Sequence, residues 1–366
     1  MAFRPSLATA SSVSFAVAQL PRELTKASDA VALQQPPILV APDSFKGTFT
    51  AREVAEAVAA GVEDGGRAAD RCPLADGGEG TMEALTNGVE GVEFHEVEVT
   101  APMGDKVTAR FATVGQTAIV ETAEAIGLVL VPESDRNPEV ATSRGAGEMI
   151  AAAVEAGASE ILVGVGGSAT VDGGRGTLEA LTDAGLVVTG PRRPKGFPSI
   201  TVLCDARATW EEAAKIFGPQ KGADPAAVAR LTELMVDQVK AMRKDPIGVN
   251  YTGGAGGVSG VLWSEAGAGL LPGAPYVMER VGFDERMRAS RSVIVGEGRL
   301  DSSTLIGKAP GEAATRARQA GFGCAAVCGV NGLDLVEERI IDLQVVIEAG
   351  DLKALRAAGQ TLAGLI

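Results

Sequence analysis

Histidine occurs only once in this 366-residue sequence, as His95. A Ser-His-Asp triad or a histidine-bound zinc site is therefore nearly excluded, and proton transfer falls to carboxylates or lysines. The four cysteines, Cys72, Cys204, Cys324 and Cys328, lack paired metal-ligand spacing and are too few to crosslink a chain of this length. Cysteine usage therefore predicts a reducing, cytoplasmic location.

Blocks of lysine and arginine are also missing, and the net charge is −14. Without a basic patch to contact a phosphate backbone, nucleic acid is not expected as a partner. No uninterrupted apolar run reaches the ~20 residues that a membrane helix needs, so no membrane association is expected. The first 36 residues are rich in serine and alanine with weak periodicity, which predicts a disordered extension, with an organelle transit peptide as the alternative.

What the chain does have is a repeated order of short apolar run, glycine-rich turn and amphipathic helix from Ile38 onward. This order predicts a mostly parallel α/β protein. The clearest helix begins after Thr50, which forms a capping box with Glu53. Residues 94–114 alternate apolar and polar side chains about a turn at 102–105, which predicts an antiparallel hairpin and hence a second, mixed region. The predicted strands are 38–41, 71–74, 117–121, 161–165, 200–204, 292–295, 324–327 and 343–347.

Four glycine-rich turns follow predicted strands and hold acids or lysines beside glycine. They read APDSFKGT, PLADGGEGT, GVGGSATVDGG and GEGRLDSSTLIGKAP in chain order. In open α/β sheets ligands bind beyond the carboxyl ends of the strands, and glycine lets backbone amides approach phosphate oxygens. Each turn alone could be a tight, capped connection, but together they favour an anion-binding site. Two carboxylates on the second turn, Asp76 and Glu79, could hold Mg²⁺.

Neither common nucleotide signature is present in these turns. Eight residues separate Gly298 from Gly307, and Ala309 stands where a Walker loop has serine or threonine. GVGGSA lacks the spacing of a dinucleotide fingerprint, which argues against a dehydrogenase. A further segment, FGPQKGA, contains Lys221, which either neutralises a phosphate or faces solvent.

The four turns and FGPQKGA, in their order along the chain, resemble the bacterial glycerate kinase family that includes the glycerate 2-kinases. The resemblance runs from about residue 38 to the C-terminus. It implies phosphorylation of D-glycerate with ATP and Mg²⁺ in glyoxylate or sugar-acid breakdown, with 2-phosphoglycerate favoured over 3-phosphoglycerate as product. It also implies two α/β domains with the active site in the cleft between them, and a homodimer is one possible assembly.

The expected domains are a discontinuous, flavodoxin-like one from residues 37–90 and 285–366 and an inserted mixed α/β one from residues 91–284. The sequence departs from the family pattern at its N-terminal extension and at Val171, where the family usually has asparagine. Residues 185–214, which include Asp205, look shortened, and this departure puts the family's substrate contacts near Asp205 in doubt. The core motifs remain whole.

On this basis we hypothesise roles for individual residues in phosphoryl transfer, a reaction that needs mainly positioning and charge neutralisation. Lys46 offsets charge on the phosphoryl group or on the glycerate carboxylate, and Asp172 or Asp301 accepts the hydroxyl proton. Arg299 is expected to pair with the glycerate carboxylate, because its planar fork matches that group. The residues expected to bind substrate and phosphate are Asp43, Ser44, Gly77, Gly78, Gly166, Gly167, Ser168, Gly296, Gly298, Arg299 and Lys308.

Two other functions fit the same motifs. One is a kinase for another small hydroxy acid, and the other is a non-catalytic sensor of sugar acids or nucleotides, since a fold alone does not settle function. An assay of ADP release over a panel of hydroxy acids separates the three.

Overall fold

Residues 35–187 and 197–366 are the part of the chain that the computed structural model describes, and in them eleven strands form two sheets. The extension predicted for residues 1–36 lies almost entirely outside the described residues, as do residues 188–196 of the stretch expected to be shortened. The strands are β1 (Ile38–Pro42), β2 (Ala69–Arg71), β3 (Val92–Thr100), β4 (Lys106–Val114), β5 (Thr117–Glu121), β6 (Glu160–Gly164), β7 (Ser199–Cys204), β8 (Gly269–Pro272), β9 (Ser292–Leu300), β10 (Gly323–Asn331) and β11 (Leu343–Glu348).

Helices follow most of the strands, as the sequence pattern predicts. They are α1 (Ala51–Asp64), α2 (Thr81–Thr86), α3 (Ala123–Ile126), α4 (Arg144–Glu155), α5 (Arg175–Asp183), α6 (Ala213–Phe217), α7 (Pro225–Gln238), α8 (Val258–Ser264), α9 (Gly273–Arg280), α10 (Phe283–Arg288), α11 (Ala309–Ala320), α12 (Leu335–Ile340) and α13 (Leu352–Leu365). Within the described residues, no helix is both long and apolar enough to cross a membrane.

The first sheet is wholly parallel and has the order β11-β10-β9-β1-β2. Counted along the chain, its strands follow the order 2-1-3-4-5 that defines a flavodoxin-like sheet, so this prediction is confirmed. Strand β1 is buried on both faces, which explains its unbroken apolar run. Ile38 and Val40 pack against α1 and α13, whereas Leu39 and Ala41 face the helices of the opposite layer.

The second sheet has the order β3-β4-β5-β6-β7-β8, and all of its strands lie between β2 and β9 in the sequence. Strands β3, β4 and β5 pair antiparallel and the others parallel, which confirms the hairpin and the mixed character expected of this region. His95 on β3 stacks on Phe111 of β4, and its Nε2 lies 2.8 Å from Thr113 Oγ1. The contacts of the single histidine are therefore with side chains of the neighbouring strand. The residue limits of the two domains stay a prediction.

The local sequence patterns predict the start of α1 correctly but misplace the bounds of β2. Thr50 Oγ1 accepts the amide of Glu53 at 3.1 Å and the Glu53 carboxylate accepts the amide of Thr50 at 2.9 Å, so the predicted capping box is confirmed. The strand predicted at residues 71–74 is wrong in its bounds, because β2 ends at Arg71. Cys72 and Leu74 still donate to β1, but Pro73 between them has no N–H to offer a further strand.

Candidate active site

A cavity of about 640 Å³ lies where the carboxyl ends of strands from both sheets meet. This is the end at which open α/β sheets bind ligands. Its wall includes six of the residues predicted from the sequence, Lys46, Asp76, Gly167, Ser168, Asp301 and Lys308. The loops after β1, β2, β6 and β9 thus come together, as the glycine-rich turns suggested.

Lys46 is one of the cations on the wall of this cavity. Its Nζ lies 3.7 Å from Asp76 Oδ2, and Asp76 Oδ1 accepts the amide of Gly78 at 3.0 Å. The charge of Asp76 raises the pKa of Lys46, with smaller contributions from Asp43 and Asp205, while burial opposes the shift. Lys46 therefore stays protonated and is available to neutralise an anion.

Asp43 directly follows β1 and is buried. Its Oδ1 accepts the amide of Ser44 at 2.6 Å. Burial raises the pKa of the Asp43 carboxyl and the charge of Asp76 raises it further, whereas Lys46 lowers it. Three buried oxygens here, Asp43 Oδ2, Ser44 Oγ and Asp76 Oδ2, have no hydrogen-bond partner among the described residues. Buried polar atoms of this kind are costly unless a ligand, water or ion satisfies them.

These oxygens allow a test of whether the site fits Mg²⁺. Within residues 35–187 and 197–366, no group of three or more His, Cys, Asp or Glu side chains forms a metal cluster. Mg²⁺ does not need one, because it usually takes one or two carboxylates together with waters and phosphate oxygens. The two orphaned carboxylate oxygens of Asp43 and Asp76 fit that pattern. Glu79, the other predicted ligand, is half-buried but is not part of the cavity wall.

Asp205 follows β7 and lines the same cavity from the second sheet. Burial raises the pKa of its carboxyl and the charge of Asp76 adds to this, while Lys46 and Lys221 lower it. Asp205, whose substrate contacts the shortened stretch puts in doubt, is thus part of the cavity wall. Arg207, two residues further on, also lines the cavity and was not singled out from the sequence.

Lys221 is a buried cation in the cavity wall, with only 3% of its surface exposed. Its Nζ donates to Ser168 Oγ at 2.9 Å and to the carbonyl of Thr170 at 2.8 Å. Burial lowers the pKa of Lys221 to about 8, although Asp205 and Asp172 oppose the shift. The solvent-facing alternative considered for this lysine is therefore wrong, and its ammonium group fixes the loop that follows β6.

A buried ion pair lies on the first-sheet side. Glu297 of β9 accepts hydrogen bonds from Lys308 Nζ and, at 3.0 Å, from Thr304 Oγ1. Burial raises the pKa of the Glu297 carboxyl, and Lys308 lowers it. The sequence predicted that Lys308 binds substrate or phosphate, but in the structure its ammonium group already donates a hydrogen bond to Glu297.

Asp301 caps the short 3₁₀ helix Ser302–Ile306 and accepts hydrogen bonds from the amide and hydroxyl of Ser303. Burial works against its ionisation, but the bonds from Ser303 and the charges of Lys308 and Arg299 outweigh burial, and the pKa of Asp301 is lowered. Arg299 itself is exposed and is not among the residues that line the cavity.

Asp172, the other predicted proton acceptor, is not among the residues that line the cavity. Its Oδ2 accepts from the amide and hydroxyl of Ser143, both at 2.9 Å, and from the amide of Gly176 at 3.1 Å. Its Oδ1 accepts the amide of Gly174 at 3.0 Å. These bonds join the N-terminal ends of α4 and α5. The geometry thus gives no support to Asp172 as a base, because its oxygens are committed to the backbone.

Several glycines predicted to bind phosphate lie against other backbone segments. A Cβ on Gly166 would lie 2.5 Å from Gly78 Cα, and a Cβ on Gly77, which has φ +97°, would lie 2.8 Å from the carbonyl oxygen of Leu203. The amide of Gly166 donates to the carbonyl of Gly77 at 3.4 Å. Here glycine lets the loop that carries Asp76 pass directly against β6 and β7.

Two glycines of β9 act in a similar way. A Cβ on Gly298 would lie 3.2 Å from Phe45 Cα, so this glycine leaves room for the loop that carries Lys46. Gly296 lies between Pro42 and Val327 in the centre of the first sheet. Gly167 differs from both, because it has φ +73° and lies on the cavity wall. Its amide remains the best candidate among these glycines for contact with an anion.

Glu121 is a functional candidate that the sequence reasoning missed. It is buried at the end of β5, and its carboxylate accepts the amides of Gly80, at 3.2 Å, and Met82. Burial raises the pKa of the Glu121 carboxyl to about 7, against these two hydrogen bonds, which lower it. The signal was a glutamate closing the apolar strand TAIVE. Glu121 ties the loop that carries Asp76 to the second sheet.

The model of the glycerate kinase family matches residues 38–192 and 192–355. The chain belongs to this family. Among its relatives, glycerate 2-kinase of Escherichia coli K12 is 37% identical over 75% of this chain and 80% of the relative. A glycerate kinase of Haemophilus influenzae is 35% identical over 88% of this chain and 94% of the relative.

The solved structures agree with this placement in the glycerate kinase family. A crystal structure of a Salmonella typhimurium LT2 protein assigned as glycerate kinase 2 is similar with a TM-score of 0.71 at 30% identity, over 90% of this chain and 98% of that one. The family recognised from the five motifs and the prediction of a kinase are thereby confirmed.

Proposed function

We propose that this protein transfers the γ-phosphoryl group of ATP to D-glycerate and releases 2-phosphoglycerate. The observation that supports the proposal best is the group of Lys46, Asp76 and Asp205 on the cavity wall with Asp43 near them, in which a protonated lysine interacts electrostatically with three aspartates. Phosphoryl transfer needs such an arrangement, in which fixed charges orient and neutralise the reacting groups. The name of the Escherichia coli relative favours the 2-hydroxyl as the acceptor.

In the reaction, a hydroxyl oxygen of glycerate forms a bond to the γ-phosphorus while the bond from that phosphorus to the β–γ bridging oxygen breaks. ADP leaves, and the hydroxyl proton passes to a carboxylate. Asp205 is our candidate for this base, because it lines the cavity and burial raises its pKa. Asp301 also lines the cavity, but its lowered pKa makes it the weaker base.

Lys46 would neutralise charge on the phosphoryl group as it moves, and Arg207 is available on the wall for the glycerate carboxylate. Asp43 and Asp76 would hold Mg²⁺ through their orphaned oxygens. When bound, Mg²⁺ neutralises charge on the phosphate oxygens. Asp172 and Glu121 act as positioning residues in this scheme, because they bind backbone amides near the loops of the site.

The assignment is tested with the full-length protein, ATP and D-glycerate in an assay of ADP release coupled to NADH oxidation. We expect release that depends on D-glycerate, and phosphorus NMR of the product should show 2-phosphoglycerate. Release with another hydroxy acid alone would correct the substrate, and ATP binding without release would indicate a sensor. The pathway in glyoxylate or sugar-acid breakdown, the cytoplasmic location, the homodimer and the two-domain division stay predictions.

A further inference from the structure

The cavity is lined by two chemically different kinds of side chain. Its wall carries the charged residues Lys46, Asp76 and Asp205, and it also carries apolar side chains from segments that connect strands of the second sheet, chiefly Leu128, Ile216 and Phe217. Two of these, Ile216 and Phe217, form the end of α6. An apolar surface of this kind in a binding cavity indicates contact with an apolar part of a ligand.

A chain of contacts links two members of this apolar surface, Leu128 and Phe217. The amide of Leu128 donates to the carbonyl of Gly167 at 2.8 Å, next to Ser168. Ser168 Oγ accepts a hydrogen bond from Lys221, whose Nζ lies 5.7 Å from the centre of the Phe217 ring. The buried ammonium group therefore lies between the apolar surface and the loop after β6.

Two isoleucines of the cavity wall are exposed. Ile216 is 53% exposed, and Ile306, which comes from the first-sheet side after β9, is 64% exposed. Single exposed apolar side chains need no explanation, but these two border the same cavity as Leu128 and Phe217. Their apolar surface would be covered if a flat, largely apolar group bound between them.

Only one of the two substrates can supply such a group. D-Glycerate carries a carboxylate and two hydroxyls and has almost no apolar surface, whereas ATP carries an adenine ring. We propose that the adenosine part of ATP binds against Leu128, Ile216 and Phe217 with Ile306 at its other side. The phosphates then pass Ser168 and Lys221 toward Lys46, and glycerate binds beside Lys46. This inference rests on the proposed function only in taking ATP as the donor.

The test uses Ile216→Ala and Ile306→Ala, with Ile340→Ala as the matched control. Ile340 lies on α12, is 51% exposed and is not among the residues that line the cavity. In both test variants we expect the KM for ATP, and the dissociation constant of ATP measured by calorimetry, to rise about tenfold, while the KM for glycerate changes by less than about twofold. Inhibition by inorganic tripolyphosphate should stay unchanged, because this probe lacks adenosine.

The outcomes separate this inference from the proposed reaction. A rise in the KM for glycerate instead of that for ATP, or ATP constants equal to those of I340A, overturns the adenosine site. If the unaltered protein phosphorylates glycerate and both test variants keep its ATP affinity, the adenosine site is wrong while the reaction stands. If I216A weakens ATP binding but no hydroxy acid is phosphorylated, the reaction is wrong while the adenosine site stands.

Discussion

Lys46 Nζ lies 3.7 Å from Asp76 Oδ2, and the two residues come from loops that follow the neighbouring strands β1 and β2. The lysine side chain is 41% exposed, whereas the carboxylate is buried and has one oxygen without a hydrogen-bond partner among the described residues. An exposed surface pair would contribute little. In this pair Asp76 is held by the amide of Gly78, and its carboxylate keeps the lysine ammonium group at the cavity wall.

Replacing Lys46 by methionine removes this charge and keeps much of the side-chain volume. We expect kcat to fall by about 10²-fold or more, because a positioned charge that stabilises the transition state is worth that much. Steady-state kinetics with D-glycerate and ATP measures the effect. Lys240→Met is the control, because Lys240 is exposed and pairs with Asp237 on the surface. Turnover within a few-fold of normal in K46M would remove Lys46 from the reaction.

Asp172→Asn separates a base from a positioning residue. Asparagine keeps the shape of the side chain but replaces one acceptor oxygen by an NH2 group. Because an NH2 group cannot accept hydrogen bonds from the backbone N–H groups that it faces, we expect a loss of about 1–3 kcal/mol in the free energy of unfolding. The kcat of the folded variant should stay within a few-fold of normal. Urea unfolding and initial rates measure both, and the exposed Asp237→Asn is the control. Loss of turnover with unchanged stability would restore Asp172 as the base.

Lys221 is expected to make the stability depend on pH. Its pKa is lowered from 10.5 to about 8 in the folded protein, so between these values the unfolded chain binds more protons than the folded one. The free energy of unfolding therefore rises as pH increases from about 8 to 10.5. Lys221→Met removes this contribution, and the difference in stability between the two proteins should grow with pH.

Urea unfolding at several pH values between 7 and 10.5 tests this, with Lys240→Met as the control, because Lys240 is exposed on the surface. The difference isolates Lys221 from the other groups that titrate in this range. A difference that stays constant with pH would mean that the buried ammonium group does not change its protonation there.

Gly166→Ala tests whether glycine serves backbone packing in the loop after β6. The added Cβ would lie 2.5 Å from Gly78 Cα, so we expect a loss of about 1–3 kcal/mol in the free energy of unfolding and a lower kcat, because the loop that carries Asp76 must shift. Gly364→Ala on α13 is the control, since an added Cβ there meets nothing within 4 Å. Normal stability and turnover in G166A would show that the two loops can move apart to accept a Cβ without loss of stability or activity.

The sequence predicted the elements whose signals are local. The buried run ILVA indicated β1, Thr50 with Glu53 indicated the start of α1, and the alternation around residues 102–105 indicated the hairpin, because each depends only on neighbours in the chain. It also predicted that the loops carrying Lys46 and Asp76 meet, because parallel strands end at the same edge of a sheet. β8 was missed, since GLLP is too short to show a period.

What the sequence did not predict depends on contacts between distant segments. GVGGSATVDGG suggested amides that bind an anion, but Gly166 is needed because Gly78, far away in sequence, lies against it. Asp172 lies in a glycine-rich turn and Asp205 directly follows a strand, so the sequence does not distinguish their roles. Only the fold shows that Asp172 binds amides at helix ends while Asp205 lines the cavity. The burial of Lys221 likewise requires Ser168 and Thr170 to be in place.

The strand order of the first sheet also bears on how the chain is made. Ile38 of β1 pairs with Ser292 of β9, so the central strand of this sheet gains its main partner only after the whole second sheet has been synthesised. Pairings this distant slow folding and leave apolar segments uncovered on nascent chains. Ribosome-bound chains that end before β9 should therefore expose the apolar face of α1 and depend on chaperones until β9 and the residues after it emerge.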